Sequence, residues 1–340
     1  MSRNWTVAVH QAGAISLGPT TACDGFLSEC DYRVQTHVHR DHRDGFESSK
    51  GNSTIVSLKA TRELMIAELN ADLKYRTNFV GLDAGEEFSV GDGKLTLFDS
   101  GHMLGSAQVV LEAPDGYRTG YSGDFSWPIA PIKVDELVVD GTSSPRTVRE
   151  YTQQVAEEEF LNLVAKSIRN GPVFVWADSE STYRGITALS EFHNWAIIMD
   201  SRFISVSEVY ASYGTPIPPL ICADTEEAEE VIEDGYYVLF RSKGSAAINN
   251  RRGTYIHLIP FYNAPGNPVH QLADNAYNVG ISNHADFEQT IAYVMETEAQ
   301  RVLVDNFHGK RAAELAIAIY ERTGIEVKYE LTRSDGGWGS

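Results

Sequence analysis

The feature that most constrains this chain is a short stretch, THVHRDH, which places three histidines and an aspartate within six positions, at His37, His39, Asp41 and His42. The chain has ten histidines in 340 residues, so this local density is unusual. The segment YRVQTHV has the pattern of a β-strand, and residues two apart on a strand point to the same side. We therefore expect His37 and His39 to face the same way, with Asp41 and His42 turned back toward them.

These four side chains have the chemistry of a metal site. Imidazole nitrogens and carboxylate oxygens are the ligands that zinc, manganese and iron use in proteins. Packing the four groups together without a metal would be costly, because buried polar groups need partners. Four ligands at one strand end exceed what a single open catalytic ion needs but suit two adjacent ions. The stretch therefore predicts two divalent metal ions, with zinc favoured and manganese as the alternative.

Three later polar residues share this setting, since each follows an apolar strand and lies close to a glycine. They are His102 in GHMLGSAQ, Asp124 in YSGDF and His308 in DNFHG. A glycine beside a ligand lets the backbone approach a metal closely. Each residue alone would pass for an ordinary loop residue, but as a set after the first cluster they are interpreted as further ligands.

Strand-like and helix-like patterns alternate along the chain, which indicates an α/β protein. The first 130 residues are rich in hairpin-like strands, whereas residues 143–275 have the pattern of strands and helices in succession. Residues 149–171 are predicted to form a helix that ends in Asn-Gly. A chain of 340 residues is a natural length for two domains, and no linker rich in glycine and serine separates them.

Composition points to a cytoplasmic protein. No apolar run approaches the length of a membrane span, and the first residues lack a secretion signal. The three cysteines, Cys23, Cys30 and Cys222, have no metal-binding spacing and are interpreted as reduced thiols. The net charge of −19 repels polyanions on average, which counts against simple electrostatic binding of nucleic acid.

One segment departs from this acidity. Residues 235–273 contain no aspartate or glutamate, and tyrosines and phenylalanines are interleaved among their basic residues. Such a segment predicts a groove for a single-stranded backbone with aromatic rings for base stacking, although a chance gap in the acids is an equal alternative. The candidate substrate-binding residues are Arg241, Lys243, Arg251 and Arg252, and Arg40 and Arg43 beside the first cluster are further candidates for phosphate contact.

The order of the motifs resembles the metallo-β-lactamase fold, with HVHRDH followed by SGH and then SGD. The resemblance implies an αββα sandwich with two metal ions at its edge. It also implies that Asp24, in ACDGF, supports the first cluster. By this resemblance one ion is bound by His37, His39 and His102, the second by Asp41, His42 and His308, and Asp124 bridges both.

Spacing narrows the resemblance further. More than half of the chain separates Asp124 from His308, whereas small-molecule hydrolases of this fold usually place the last histidine soon after the bridging aspartate. The intervening chain carries Asp140 at the end of ELVVD and His284 in SNHAD, and these with the HG of His308 resemble the three extra motifs of the β-CASP nucleases. The implied domains are a metallo-β-lactamase domain in two parts, residues 1–142 and 276–340, and a β-CASP domain at residues 143–275.

The family implies a nuclease that hydrolyses phosphodiester bonds of single-stranded nucleic acid. Asp41 and Asp124 would act with the metals. His284 is the natural general acid, since a neighbouring carboxylate at Asp140 favours the imidazolium. The additional Asp305 before His308 leaves open which of the two binds the second metal.

The substrate and the partners stay open at this point. A histidine in the third extra motif is more typical of RNA-processing members, such as mRNA 3′-end processing factors, and slightly favours RNA. The compact length and GHMLGSAQ also resemble bacterial ligase-associated exonucleases, which act in DNA repair. A small-molecule metallo-hydrolase and a non-catalytic scaffold are weaker alternatives. No membrane partner is expected, and a homodimer or partners in repair or processing are not decided by the sequence.

Overall fold

The computed structural model describes residues 4–69, 72–91, 93–177, 179–190, 195–242, 252–260, 266–309 and 311–329. Within these residues the chain is a mixed α/β protein with three multi-stranded sheets and eight α-helices. It divides into two compact units: unit 1 is Met1–Val148 with His284–Ser340, and unit 2 is Arg149–Asn283. The domain ranges that the family resemblance implies, residues 1–142, 143–275 and 276–340, stay a prediction.

Unit 1 begins with a six-stranded sheet whose last four strands are parallel. Its strands, in order across the sheet, are β1 (Val7–Val9), β2 (Ile15–Leu17), β3 (Thr21–Cys23), β4 (Tyr32–Val34), β5 (Thr54–Leu58) and β6 (Phe79–Leu82). Two helices, α1 (Phe46–Asn52) and α2 (Lys59–Leu69), connect the parallel strands and pack on them.

The second sheet of unit 1 has seven strands and combines an antiparallel half with a parallel half. Its strands are β7 (Glu87–Val90), β8 (Gly93–Asp99), β9 (Ala107–Glu112), β10 (Arg118–Tyr121), β11 (Glu136–Val139), β19 (Arg301–Val304) and β20 (Glu326–Lys328), numbered in chain order. Strands β10, β11, β19 and β20 are parallel. Helices α7 (Phe287–Glu296) and α8 (Ala312–Thr323) complete the unit.

Side chains that alternate between the two faces of the second sheet explain how unit 1 packs. Val109 and Val138 face a core that is shared with the first sheet. Their neighbours Val110 and Val139 face the opposite side, where α7 and α8 pack. Because successive strand residues point to opposite faces, an apolar strand can bury both of its faces, and each buried side chain contributes about 1.5–3 kcal/mol. The two sheets thus share one core, with helices on the outer face of the second sheet.

Unit 2 contains a seven-stranded sheet that is parallel except at one edge. In chain order its strands are β12 (Val173–Ala177), β13 (Ala196–Met199), β14 (Leu220–Cys222), β15 (Tyr237–Ser242), β16 (Thr254–Leu258), β17 (Val269–Ala273) and β18 (Ala276–Val279). Across the sheet the order is β14-β13-β15-β12-β16-β18-β17.

Four helices accompany the sheet of unit 2: α3 (Gln153–Ser167), α4 (Ser179–Ala188), α5 (Ser201–Ser212) and α6 (Glu226–Asp234). Helix α3 begins after Thr152, whose hydroxyl accepts the backbone N–H of Val155 as an N-cap. None of the helices in the described parts of the chain is long and apolar enough to cross a membrane.

Candidate metal centre

The predicted site residues of unit 1 lie where the carboxyl ends of its strands meet. Strands β3 and β4 of the first sheet are parallel, and β8, β10, β11 and β19 share one direction in the second sheet. The residues that follow these six strands are Asp24, the His37–His42 loop, His102, Asp124, Asp140 and His308. His284 lies in the loop before α7, which starts at a reciprocal cap between Asp286 and Gln289.

Asp24 is the buried anchor of the His37–His42 loop. One carboxylate oxygen, Oδ1, accepts the backbone N–H of Thr36 at 2.9 Å. The other, Oδ2, accepts the Thr36 hydroxyl at 2.6 Å and lies 2.8 Å from Nδ1 of His42. Asp24 has φ 55°, a left-handed conformation that non-glycine residues adopt rarely, as is typical of functional sites. The contact with Nδ1 leaves Nε2 of His42 to face Asp124.

The first group of donor atoms comes from His37, His39, His102 and Asp124, whose donor atoms all lie within 4.8 Å of one another. Nε2 of His102 lies 3.3 Å from Nδ1 of His39. Nε2 atoms of His37 and of His102 each lie 3.7 Å from Oδ2 of Asp124. The structure therefore brings these four residues together, in an arrangement that one cation could fill.

The second group is built around His42. Its Nε2 lies 3.3 Å from Oδ1 of Asp124 and 4.0 Å from Oδ2 of Asp41, whose side chain is 67% exposed. The His308 ring stacks on the His42 ring, with centroids 4.3 Å apart and 14° between the planes. Nδ1 of His308 lies 2.6 Å from Oδ2 of Asp305. Asp124 thus contacts both groups through different oxygens.

The contacts of Asp305 help to distinguish whether Asp305 or His308 would bind the second metal. Both carboxylate oxygens of Asp305 are engaged locally: Oδ1 accepts the backbone N–H groups of Phe307 and His308, and Oδ2 faces Nδ1 of His308. A histidine that binds a metal commonly donates its other N–H to a carboxylate in this way. The geometry therefore suits His308 as the ligand and Asp305 as the residue that orients it.

Three buried nitrogen atoms in this region test whether metal ions fit. The Nε2 atoms of His37, His42 and His308 are buried and have no hydrogen-bond partner among the described residues. An unsatisfied buried polar group costs roughly 1–3 kcal/mol, so three of them close together are unusual in a folded protein. Divalent cations would satisfy all three, since the donors are imidazoles and carboxylates. The residues fit a metal centre.

Burial and neighbouring charges set the protonation of these side chains. Burial, with the nearby His42, holds the pKa of His37 well below its ordinary value, and burial lowers the pKa of His39 to about 4. Both imidazoles are therefore neutral near pH 7, the form that binds metals. Burial alone would raise the pKa of Asp124, but the charge of His42 outweighs it and keeps the carboxyl ionised. Burial would lower the pKa of His42, and Asp124 and Asp24 outweigh that effect and raise it.

His284 and Asp140 lie beside the first group. Nε2 of His284 lies 3.9 Å from Oδ2 of Asp124, and its Nδ1 lies 3.4 Å from Oδ2 of Asp140. Thr142 holds Asp140 through its backbone N–H and its hydroxyl. Burial would lower the pKa of His284, but the hydrogen bond with Asp140 and the charge of Asp124 raise it overall. These two carboxylates therefore favour the protonated imidazole.

Sequence reasoning missed two residues that hold the first cluster. Arg33, which is 1% exposed, donates from Nη2 to the carbonyl of His42 and from Nη1 to the carbonyl of Asp44. Gln35 donates to the carbonyls of His37 and His42. Their spacing places both on one face of the strand-like YRVQTHV, but that spacing does not show that the face is buried.

The basic candidates for substrate contact are only partly described. Lys243 and Arg251 lie outside the described residues. Arg241 lies near the carboxyl end of β15, whereas Arg252 precedes the amino end of the parallel strand β16, so the sheet separates the two. In unit 1, Arg40 and Arg43 share a short 3-10 turn with Asp41, and Arg43 pairs with Glu68 at 3.3 Å. Substrate binding by these residues stays a prediction.

Comparison with curated proteins finds relatives of several lengths, and no protein-family model matches the chain. The chain is 30% identical over 139 residues to the "Uncharacterized protein in lig 3'region" of Acidianus ambivalens, covering 99% of that protein and 40% of this chain. It is 25% identical over 302 residues to a "Probable DNA ligase" of Opitutus terrae, covering 86% of this chain and 28% of the ligase.

A third relative is the "RNase J-like protein" of Methanocaldococcus jannaschii, at 23% identity over 221 residues, which are 56% of this chain and 52% of that protein. The chain thus spans about half of this relative and about a quarter of the ligase. A crystal structure of a protein of unknown function from Enterococcus faecalis V583 has a TM-score of 0.60 at 14% identity, covering 88% of this chain and 79% of that one. That likeness concerns the fold alone.

Proposed function

We propose that this chain, which belongs to the same family as the uncharacterized Acidianus ambivalens protein, is a metal-dependent nuclease that hydrolyses phosphodiester bonds of single-stranded nucleic acid. The observation that carries the proposal is the convergence of His37 and His42 on Asp124, with the His308 ring stacked on that of His42. The buried Nε2 atoms of these three histidines have no hydrogen-bond partner among the described residues. Relatives named as a probable DNA ligase and an RNase J-like protein support a role in nucleic-acid processing.

The fold that goes with this proposal is a metallo-β-lactamase sandwich carrying an inserted β-CASP domain. Two face-to-face sheets in unit 1, with helices packed on them, support the sandwich. The separate parallel sheet of unit 2 supports the insertion, because it lies between two stretches of chain that fold together.

The proposed ligand assignment follows the two groups of donors. His37, His39 and His102 would hold one ion. His42, His308 and Asp41 would hold the second, and Asp124 would bridge both. Zinc suits this set of imidazoles and carboxylates, and manganese is the alternative.

When bound, two divalent ions would supply hydroxide near neutral pH and neutralise charge that develops on the phosphate oxygens. The chain's own residues prepare the site for this chemistry. Asp24 and Asp305 orient His42 and His308 by holding Nδ1 of each ring. Arg33 and Gln35 fix the backbone of the loop that carries the first ligands.

His284 is the proposed general acid. Its Nδ1 faces Asp140, and its Nε2 faces Asp124 at the metal centre. Burial lowers the pKa of His284, but the hydrogen bond with Asp140 and the charge of Asp124 raise it overall, which favours the protonated ring. That proton would pass from His284 to the leaving oxygen when the phosphodiester bond breaks. General acid catalysis of this kind typically accelerates a reaction by roughly 10²–10⁴-fold.

DNA is the favoured substrate within this proposal. The match to the probable DNA ligase extends over 86% of the chain, against 56% for the RNase J-like protein. A chain similar to part of a ligase polypeptide suits the trimming of DNA ends before they are joined. RNA, which the sequence analysis slightly favoured, is the second candidate because of the RNase J-like relative.

The test is degradation of matched single-stranded DNA and RNA, each labelled at the 5′ or the 3′ end. The protein is stripped of metal and then supplied with zinc or manganese, and Asp124→Asn serves as the control. We expect DNA to be degraded only with metal, and the label to show the direction. Degradation of RNA alone would replace DNA by RNA in the proposal.

Two results would contradict the proposal itself. Hydrolysis of a lactone or thioester without hydrolysis of either strand would indicate a small-molecule metallo-hydrolase. A protein that binds neither zinc nor manganese and is inactive on every substrate would indicate a non-catalytic scaffold.

A further inference from the structure

Unit 2 carries a row of four side chains that the proposed catalytic chemistry does not use. The strand register aligns Trp176 of β12 with Arg241 of β15 on one side and with His257 of β16 on the other. His257 in turn aligns with Asn278 of β18. Residues in register on neighbouring parallel strands point to the same face, and the strands are about 4.8 Å apart. Arg241, Trp176, His257 and Asn278 therefore form one continuous row, here called the row.

The row lies near the carboxyl ends of its strands. In open parallel sheets, ligands bind outside these ends, at the point where the strand order reverses. The order reverses at β12: β13, β14 and β15 lie on one side of it, and β16 and β18 lie on the other. Trp176, on β12, is thus at the position in the sheet where a ligand is expected.

Two further aromatic rings, those of Tyr255 and Phe174, lie next to the Trp176 ring. Tyr255 lies two residues before His257 on β16, and its ring is 5.8 Å from that of Trp176 with 21° between the planes. Phe174 stacks on Tyr255 at 5.3 Å and 27°. Phe174 is buried, while Trp176 and Tyr255 are partly exposed. Nearly parallel rings fixed in a sheet offer a flat apolar surface of the kind on which bases stack.

A cavity of about 280 Å³ lies against this surface. Trp176, Tyr255, His257 and Asn278 contribute to its wall, and Leu272, at 59% exposed, lies at its rim. None of the described residues that line it is acidic, in a chain with 47 aspartates and glutamates. The wall combines a stacking surface with imidazole and amide groups that can bond to the edge of a base.

Arg241 adds a cation beside Trp176. Its Nε atom is buried and has no hydrogen-bond partner among the described residues. A guanidinium next to an aromatic stacking surface is the pairing that single-stranded nucleic acid uses, with phosphate on the cation and base on the ring.

We propose that the row binds one nucleotide of a single-stranded nucleic acid, with the base stacked on Trp176, its edge at His257 and Asn278, and a phosphate at Arg241. This inference rests on the proposed nuclease function and names the part of unit 2 that holds the strand.

The test is the KM of the intact 340-residue chain, loaded with metal, for single-stranded DNA and RNA. Trp176→Leu removes stacking but keeps apolar volume, and we expect it to raise KM about tenfold, whereas Trp176→Phe keeps a ring and raises KM much less. Arg241→Gln should raise KM severalfold and lower the slope of log KM against log salt by about one, the signature of one lost phosphate contact. Tyr236→Leu, at a 63% exposed tyrosine outside the row, is the matched control.

A second variant keeps the inference testable if Trp176→Leu does not fold. Asn278→Asp has the same shape and places a negative charge where the strand would lie, so it should also raise KM. Competition by adenosine monophosphate shows whether the row binds a strand or a free nucleotide. Competition as strong as that of the strand would overturn the strand proposal.

The outcomes separate the two proposals. If the unaltered enzyme degrades strands while Trp176→Leu and Asn278→Asp keep its KM, the row is not a binding site and the nuclease proposal stands. If the unaltered enzyme neither binds nor degrades strands, both proposals fall together.

Discussion

The candidate metal centre of unit 1 and the row of unit 2 both lie at the carboxyl ends of neighbouring parallel strands, yet their side chains differ in kind. The centre is buried and gathers imidazoles and carboxylates, so it suits cations. The row gathers an arginine, an indole, an imidazole and an amide without a carboxylate, so it suits a base and a phosphate. Similar backbone geometry thus supports two chemistries, and the side chains at the strand ends decide which. Changes in the centre should affect metal content and kcat, and changes in the row should affect KM.

Asp124→Asn is expected to have the largest effect, because Asp124 contacts both groups of donors. An amide cannot bridge two cations as a carboxylate does. We expect activity to fall at least about 10³-fold on oligonucleotides and on bis-p-nitrophenyl phosphate alike, with loss of bound metal. Kinetics and metal analysis on the same samples would check this. Full activity with both metals retained would contradict the role of Asp124 in the metal centre.

His284→Gln should reduce kcat on natural strands by roughly 10²-fold or more, as expected for loss of a general acid. The same variant should hydrolyse bis-p-nitrophenyl phosphate almost as well as the unaltered enzyme, because p-nitrophenolate leaves without a proton. An equal loss on both substrates would instead assign His284 to metal binding.

The pH dependence of kcat follows from the same residue. Burial lowers the pKa of His284, and Asp140 and Asp124 outweigh burial and raise it above 6.5. The protonated form is the active acid, so kcat on natural strands should fall as pH rises through that raised pKa. A pH–rate profile of the unaltered enzyme and of His284→Gln would test this, since the variant should lack this alkaline limb.

Asp305→Asn should weaken the second ion specifically. Loss of a carboxylate that orients a ligating histidine typically costs about 10–100-fold in metal affinity. Titration of the stripped protein with zinc should show one unchanged and one weakened site. Two unchanged sites would mean that Asp305 does not support His308.

The smallest expected effect lies in the row. Asn278→Ala should raise KM for single strands about fivefold, as for one lost hydrogen bond worth roughly 1 kcal/mol. Bound metal should be unchanged. A variant that lost metal or kcat instead would contradict the claim that the row affects only KM.

Much of the centre could be predicted from the sequence, because its residues follow strands and lie close to glycine. Gly123 shows why: its φ is 57°, and a Cβ there would collide with the carbonyl oxygen of Ala107. Arg33 and Gln35 could not be found in this way, since polar residues in a strand normally indicate a solvent face. Only the fold shows that this face is covered.

Unit 2 shows what a local sequence pattern can and cannot predict. The helix predicted at residues 149–171 is α3, Gln153–Ser167, because Thr152 caps its start and a 3-10 turn, Ile168–Asn170, ends it. The apolar pattern of VFVWA is enough to indicate the strand that contains Trp176. Its alignment with Arg241 depends on which strands become neighbours, and that order is set by packing of the whole sheet.

The most direct test of the central claim is the number of metal ions bound per chain, measured together with phosphodiesterase activity as zinc or manganese is added to stripped protein. We predict that two ions bind and that hydrolysis of single strands rises as they do. A protein that binds no metal, or that cuts strands equally well in excess chelator, would contradict the account.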